Sequence, residues 1–175
     1  MARIPLPEIG ELNDEQKRQY GRFPANLTRA LLVTTCSTQG YLSLGASFPA
    51  GGLCNRDREM IILRVGAMSK SAYERMQHYP LAIRAGWSEE EIAAIERGEA
   101  FSERDAAILR FVGECVERVK VSRETFAAVR AIYDDAQIAE LTLMIGHYMM
   151  TARFLETLEV DLDDGATSWD AISVE

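Results

Sequence analysis

Arg56-Asp57-Arg58-Glu59-Met60-Ile61-Ile62-Leu63-Arg64-Val65-Gly66-Ala67-Met68 sets apolar side chains on nearly every side of a helix. A helix of that kind is buried on most faces, so its neighbours must be helices or sheets that cover it. Asn55 stands ready to cap it, after the loop Pro49-Ala50-Gly51-Gly52. Downstream, Ser71-Ala72-Tyr73-Glu74 has the spacing of a capping box and opens a helix toward Gly86, with Pro80 inside it as a source of bending. Ser88-Glu89-Glu90-Glu91 repeats the signal before a short helix that Gly98 ends. Ser102, Ser122 and Asp134 or Asp135 start three more, the last running through Leu141, Ile145, Tyr148, Phe154 and Leu158. Upstream lie a charged amphipathic segment, Asn13 to Arg22, and a run opened by Asn26. No alternating run between hairpin turns suggests a strand. The expected fold class is all-α, a single-domain helical bundle with its core at about residues 26–160 and a loosely held acidic tail over 161–175. Trp169 could dock that tail.

Composition narrows the function. The 175 residues carry 19 Lys and Arg against 27 Asp and Glu, a net charge of −8. That field repels phosphate backbones, and no basic run opposes it, so nucleic acid is not an expected partner. Ala30 to Asn55 holds no charge, but its Ser, Thr, Gly and Pro content is too polar for a spanning helix, so no membrane association is expected. The first residues include Pro5, Pro7, Glu8, Glu11 and Asp14, with no apolar export signal. Cys36, Cys54 and Cys115 are odd in number and widely spaced, which fits free thiols in a reducing cytoplasm.

Two histidines exist. His78 follows Ser71, Glu74 and Arg75 by seven, four and three residues, which puts all four near one helical face. Glu59 lies 19 residues earlier on the apolar helix, where a carboxylate must be paired or shifted in pKa. If the two helices pack antiparallel, Glu59 and His78 sit at similar depth and can form a general acid/base pair. Plainer accounts stand beside this one. Glu59 could serve only its helix dipole, Ser71 and Glu74 only a cap, and His78 only packing. His147, among Ile145, Tyr148, Met149 and Met150, reads as a core or interface histidine satisfied by one hydrogen bond. No zinc spacing is present, and Asp161, Asp163, Asp164 and Gly165 lack the calcium-loop pattern. No cofactor is expected.

Arg58 to Val65, then Tyr73-Glu74, then His78 resembles the carboxymuconolactone decarboxylase and alkylhydroperoxidase D superfamily. The segments Asn26 to Leu31, Gly86 to Ile92, and Ile145-Gly146 through Leu155 are also similar, so the resemblance covers residues 26 to about 160. It implies an all-helical fold, a trimer or hexamer, and active sites near subunit contacts. The peroxidase branch carries Glu, then Cys-x-x-Cys, then His. Glu59 and His78 match its ends, while Ser71 and Glu74 stand at the cysteine positions. A hydroxyl and a carboxylate cannot form the disulfide on which peroxide reduction depends, so thiol peroxidase activity is not expected.

The decarboxylase branch is similar in its Tyr-Glu-Trp-x-x-His segment, with Arg75 here in place of Trp. The resemblance implies a cofactor-free lyase acting on a small acidic lactone or unsaturated ring-cleavage metabolite. His78 and Glu59 would be catalytic, and Tyr73, Arg75, Ser71 and Glu74 would bind substrate. Two alternatives remain. One is an isomerase or tautomerase of an unsaturated acid using the same pair, and the other is a non-catalytic oligomeric binding protein. Self-association is expected on a second ground as well, because the Arg56–Met68 helix needs more cover than one small domain easily supplies.

Overall fold

A computed structural model describes residues 2–167. Trp169, and with it the expectation that it docks the tail, lies outside them. Nine α-helices follow one another among the described residues, and no strand occurs there. They are α1 (Asp14–Arg22), α2 (Asn26–Leu31), α3 (Ser37–Ser47), α4 (Asn55–Met68), α5 (Ala72–Arg84), α6 (Glu89–Arg97), α7 (Glu103–Arg118), α8 (Arg123–Arg130) and α9 (Asp135–Leu158).

The apolar stretch quoted first becomes α4, and it is the axis of the fold. Helices α5, α6, α7 and α9 pack around it, and Met60, Ile61, Ile62, Leu63 and Val65 lose almost all contact with solvent. This corrects one expectation. The chain covers α4 by itself, so that helix gives no reason for oligomerisation. The apolar surface left over lies elsewhere, where Phe126, Leu143 and Met150 are exposed beside a groove of about 850 Å³ between α3, α8 and α9.

Local capping chemistry sets most of the helix starts. Ser88 and Asp134 form complete capping boxes with Glu91 and Gln137, while the Ser102 and Ser122 hydroxyls accept from the N–H groups of Asp105 and Thr125. Gly98 ends α6 with φ of 85°, a left-handed turn that glycine adopts without penalty. Two starts differ from the sequence expectation. Cys54 rather than Asn55 occupies the cap position of α4, with no side-chain hydrogen bond. At α5, Ser71 accepts from the Glu74 N–H at 3.3 Å, but this is only half of the box. The Glu74 carboxylate is drawn into the interior instead. Pro80 stays within α5, which continues past it to Arg84.

The buried Asp57 carboxylate of α4 is tied down. Asp57 accepts both guanidinium nitrogens of Arg104, at 2.7 and 2.6 Å, and the Tyr133 hydroxyl at 2.5 Å. Burial by itself would raise the Asp57 pKa, but these hydrogen bonds outweigh it and hold the carboxyl below its ordinary value. The ties join α4 to α7 and to the turn before α9.

A second apolar cluster lies beside the main one, formed by Phe23, Leu27, Leu31, Leu42, Leu155 and Val160 with Tyr73. The folded body therefore begins before residue 26, since Leu12 and Phe23 are already buried. The tail also departs from expectation. Its first residues, up to Thr167, are not loose but hydrogen-bonded to α2 and α5.

Candidate active site

Helices α4 and α5 are joined by a tight turn in which the Ser71 N–H bonds to the Gly66 carbonyl at 2.9 Å. They pack closely because Gly66 has no side chain. A Cβ there would lie 3.1 Å from the Cβ of Glu74. This antiparallel pairing brings Glu59 on α4 level with His78 on α5.

The His78 Nδ1 lies 2.8 Å from Glu59 Oε2, a buried hydrogen bond. Because an ionised Glu59 only accepts, the bond fixes the proton on Nδ1 and aims Nε2 the other way. There, at 3.7 Å, stands Glu74 Oε2. That separation is too long for a direct hydrogen bond but close enough for strong charge coupling. On the far side of Glu59, Arg58 Nε approaches Oε1 at 3.5 Å. The result is a buried line of four groups in the order Arg58, Glu59, His78, Glu74. Tyr148 from α9 presents an edge to the His78 ring, with centroids 5.1 Å apart and planes at 87°.

Burial and charge pull these groups in different directions. For His78, burial lowers the pKa, but the charge and hydrogen bond of Glu59, together with Glu74, outweigh it and leave it raised. For Glu74, burial is the largest effect. The charge of His78 offsets part of it, Glu156 and Glu59 add to it, and the carboxyl is pushed up to about 7. Glu74 and His78 thus titrate as a coupled pair, each raised above its ordinary value.

Of the residues singled out in the sequence, Glu59, His78 and Glu74 meet here. Ser71 is buried at the helix start and acts on Glu74 only through its backbone. Tyr73 lines the same small cavity, but its hydroxyl accepts the Leu27 N–H at 3.0 Å and donates to Asp163. Arg75 does not join them. Its guanidinium pairs with Glu96 of α6 at 2.7 Å and stacks over Tyr79, because its position on α5 faces α6 rather than the cavity.

Four contributors were not singled out: Tyr41, Gln77, Tyr148 and Asp163. A sign of Tyr148 was present, since Leu141 to Ala152 contains no charge and still holds His147, Tyr148 and Thr151. Polar groups on an uncharged, buried helix must face one another or a cavity. His147 is a core residue, yet its Nδ1 has no hydrogen-bond partner among the described residues. It is held by ring contacts with Tyr41, Phe48 and Tyr148, and burial with the nearby His78 pulls its pKa down to about 4. Among the described residues no cluster of His, Cys, Asp and Glu is suited to a metal ion, and the cysteines stand apart as free thiols.

Residues 41–114, which include Glu59, Ser71, Glu74 and His78, match the carboxymuconolactone decarboxylase family. That match spans 74 of the 175 residues and takes in the whole of α4 and α5. Solved structures share its fold. A crystal structure of an alkylhydroperoxidase AhpD core, an uncharacterized peroxidase-related protein from Ralstonia eutropha JMP134, agrees with TM-score 0.80 and 17% identity over 93% of each chain. An uncharacterized peroxidase-related protein from Silicibacter sp. TM1040 agrees with TM-score 0.77 and 14% identity, over 98% of this chain and 94% of that one. A protein of unknown function from Agrobacterium tumefaciens, proposed to be an antioxidant defence protein AhpD, gives 0.69 and 20% over 75% and 93%. At these identities the likeness speaks to the fold alone. No curated protein sequence matches.

Proposed function

We propose that this chain is a cofactor-free acid/base enzyme acting on a small acidic lactone or unsaturated ring-cleavage metabolite, a carboxy-lyase of the carboxymuconolactone decarboxylase kind. The observation that carries this reading is the buried Glu59–His78–Glu74 line, which puts two proton-carrying groups side by side where no thiol is present. Loss of carbon dioxide breaks a carbon–carbon bond and leaves its electron pair in the unsaturated ring as an enolate-like anion. Protonated His78 stabilises that charge and delivers a proton to carbon, while Glu59 orients the imidazole and balances its charge. Glu74, with a pKa near neutrality, resupplies the proton to Nε2.

A second reading, isomerisation of an unsaturated acid, draws support from the same Glu74. One group removes a proton and its neighbour returns one, with no loss of carbon. Mixing the protein with carboxymuconolactone and related unsaturated acids, followed by ultraviolet absorbance and carbon dioxide release, tests both. Spectral change with carbon dioxide supports the lyase, and spectral change without it supports the isomerase. No change with any compound supports a non-catalytic binding protein.

We place the protein in the cytoplasm on the strength of its three free cysteines; no described helix is long and apolar enough to cross a membrane. We also expect a homotrimer or a multiple of it, with the exposed Leu143 and Met150 beside the α3–α8–α9 groove contributing to the contact. Light scattering at micromolar concentration should give three or six chain masses. A monomer mass would remove this expectation.

A further inference from the structure

The cavity at His78 measures about 30 Å³, about the volume of one water molecule. Sites for small organic ligands are roughly ten times larger or more. A substrate can therefore reach His78 only if part of the wall leaves. The helices around the cavity are held by apolar packing, but one segment fastened to it is not. Residues 161–167 follow α9 across Asn26 and Gln77, and none of them is buried.

Hydrogen bonds attach this strap, and they converge on one carboxylate. Asp163 Oδ1 accepts the Asn26 N–H at 2.8 Å, and Oδ2 accepts the Gln77 amide at 3.0 Å and the Tyr73 hydroxyl. The Asn26 amide donates to the carbonyls of Asp161 and Leu162, and the Thr167 N–H donates to Gln77 Oε1 at 2.5 Å. Tyr73 and Gln77 are 2% and 4% exposed, and both line the cavity together with Glu74 and His78. Three donors thus point at one carboxylate, and two of them line the site from the same helix as His78.

We infer that Asn26, Tyr73 and Gln77 form a carboxylate-binding subsite beside His78, filled at rest by the chain's own Asp163. An acidic substrate enters by taking that seat and lifting the strap. The donors are neutral, which suits a single carboxylate near Glu59 and Glu74 better than a multiply charged anion such as phosphate. In a lyase, the group held here is a substrate carboxylate that is not lost. That the ligand is a substrate rests on the acid/base reading above; that the seat binds a carboxylate does not.

The test uses the full chain with Asp163→Ala and acetate as the probe, at constant ionic strength. Acetate binding is measured by titration calorimetry and by the rise in the unfolding temperature. Asp163→Ala should bind acetate at least tenfold more tightly than the wild type, and phosphate should not substitute. Adding Gln77→Leu or Tyr73→Phe should abolish the gain. If Asp163→Ala does not fold, Asp163→Asn keeps the side-chain size and serves in the same comparison. Equal acetate affinity in wild type and variant, or a gain that survives Gln77→Leu, overturns the inference. Acetate binding needs no turnover, so the two ideas fail separately. A gain in acetate affinity with activity that ignores His78 would sink only the acid/base reading. The converse would sink only the subsite.

Discussion

Replacing His78 by Ala lowers turnover of an identified substrate by at least ~100-fold, the low end of what general acid catalysis contributes. The loss comes from removing the one group that touches both carboxylates. Without the imidazole, Glu59 has no route by which to influence a proton at the cavity, and Glu74 has no partner to receive its own. His78→Gln separates chemistry from packing. Its amide can still meet Glu59 and fill much of the space, but it cannot carry a proton at neutral pH. The expected result is a folded His78→Gln protein with the same large loss in kcat. Full activity in either variant removes the mechanism. Activity that disappears only together with the cooperative unfolding transition assigns His78 a structural role.

The second large effect concerns stability rather than rate. Glu74 titrates near 7 in the folded chain against an ordinary value of 4.5, so between those values the native state holds a proton that the unfolded state has released. Stability from this group is complete below about pH 4.5 and is lost as pH rises through about 7. Glu74→Gln removes that dependence. Relative to wild type, the variant should gain on the order of 2–3 kcal/mol between pH 4.5 and pH 8, measured by urea unfolding at both. His78, raised in the folded state, also loses its contribution as pH rises. His147, pulled down to about 4, acts oppositely between 4 and 6.5. Both remain in the variant, so the difference between the two proteins reports chiefly on Glu74 and its coupling to His78. A difference that does not change with pH would mean that Glu74 is charged throughout, and would remove it as a proton donor.

Much of the fold was readable because its signals are local. Ser71, Ser88, Ser102, Ser122 and Asp134 each announce a helix through a hydroxyl or carboxylate three residues from its target, and nothing distant can cancel that. Helix α3 was not readable. Its residues Ser37–Ser47 carry no charge, no cap hydrogen bond and little contrast between faces, so its helicity comes from packing. At the site, Glu59 and His78 could be matched in depth because one short turn joins their helices. Glu74 was ambiguous, since a carboxylate three residues after a serine fits a cap as well as an interior charge, and only the approach of α4 through Gly66 decides between them. Arg75 misled for a related reason. Helical offset places it near His78, but Glu96 on a separate helix claims it. Asp163 could not be foreseen at all, because its partners lie 86 to 137 residues away in sequence.

The two apolar clusters divide the core into a larger and a smaller part. The larger, pinned by Asp57, Arg104 and Tyr133, joins α4 through α9. The smaller holds Phe23, α2 and α3 against Tyr73 and the end of α9. Tyr73 belongs to the smaller cluster and Tyr148 to the larger, and both line the cavity with His78, so the proposed proton chemistry sits on the seam where the two clusters meet. Glu59 stands on α4 and both Glu74 and His78 on α5, so loosening of α2 and α3 should leave their mutual geometry in place. Because the strap is fastened to Asn26 of α2, substitutions in α2 and α3 should tune its release while global stability stays nearly constant.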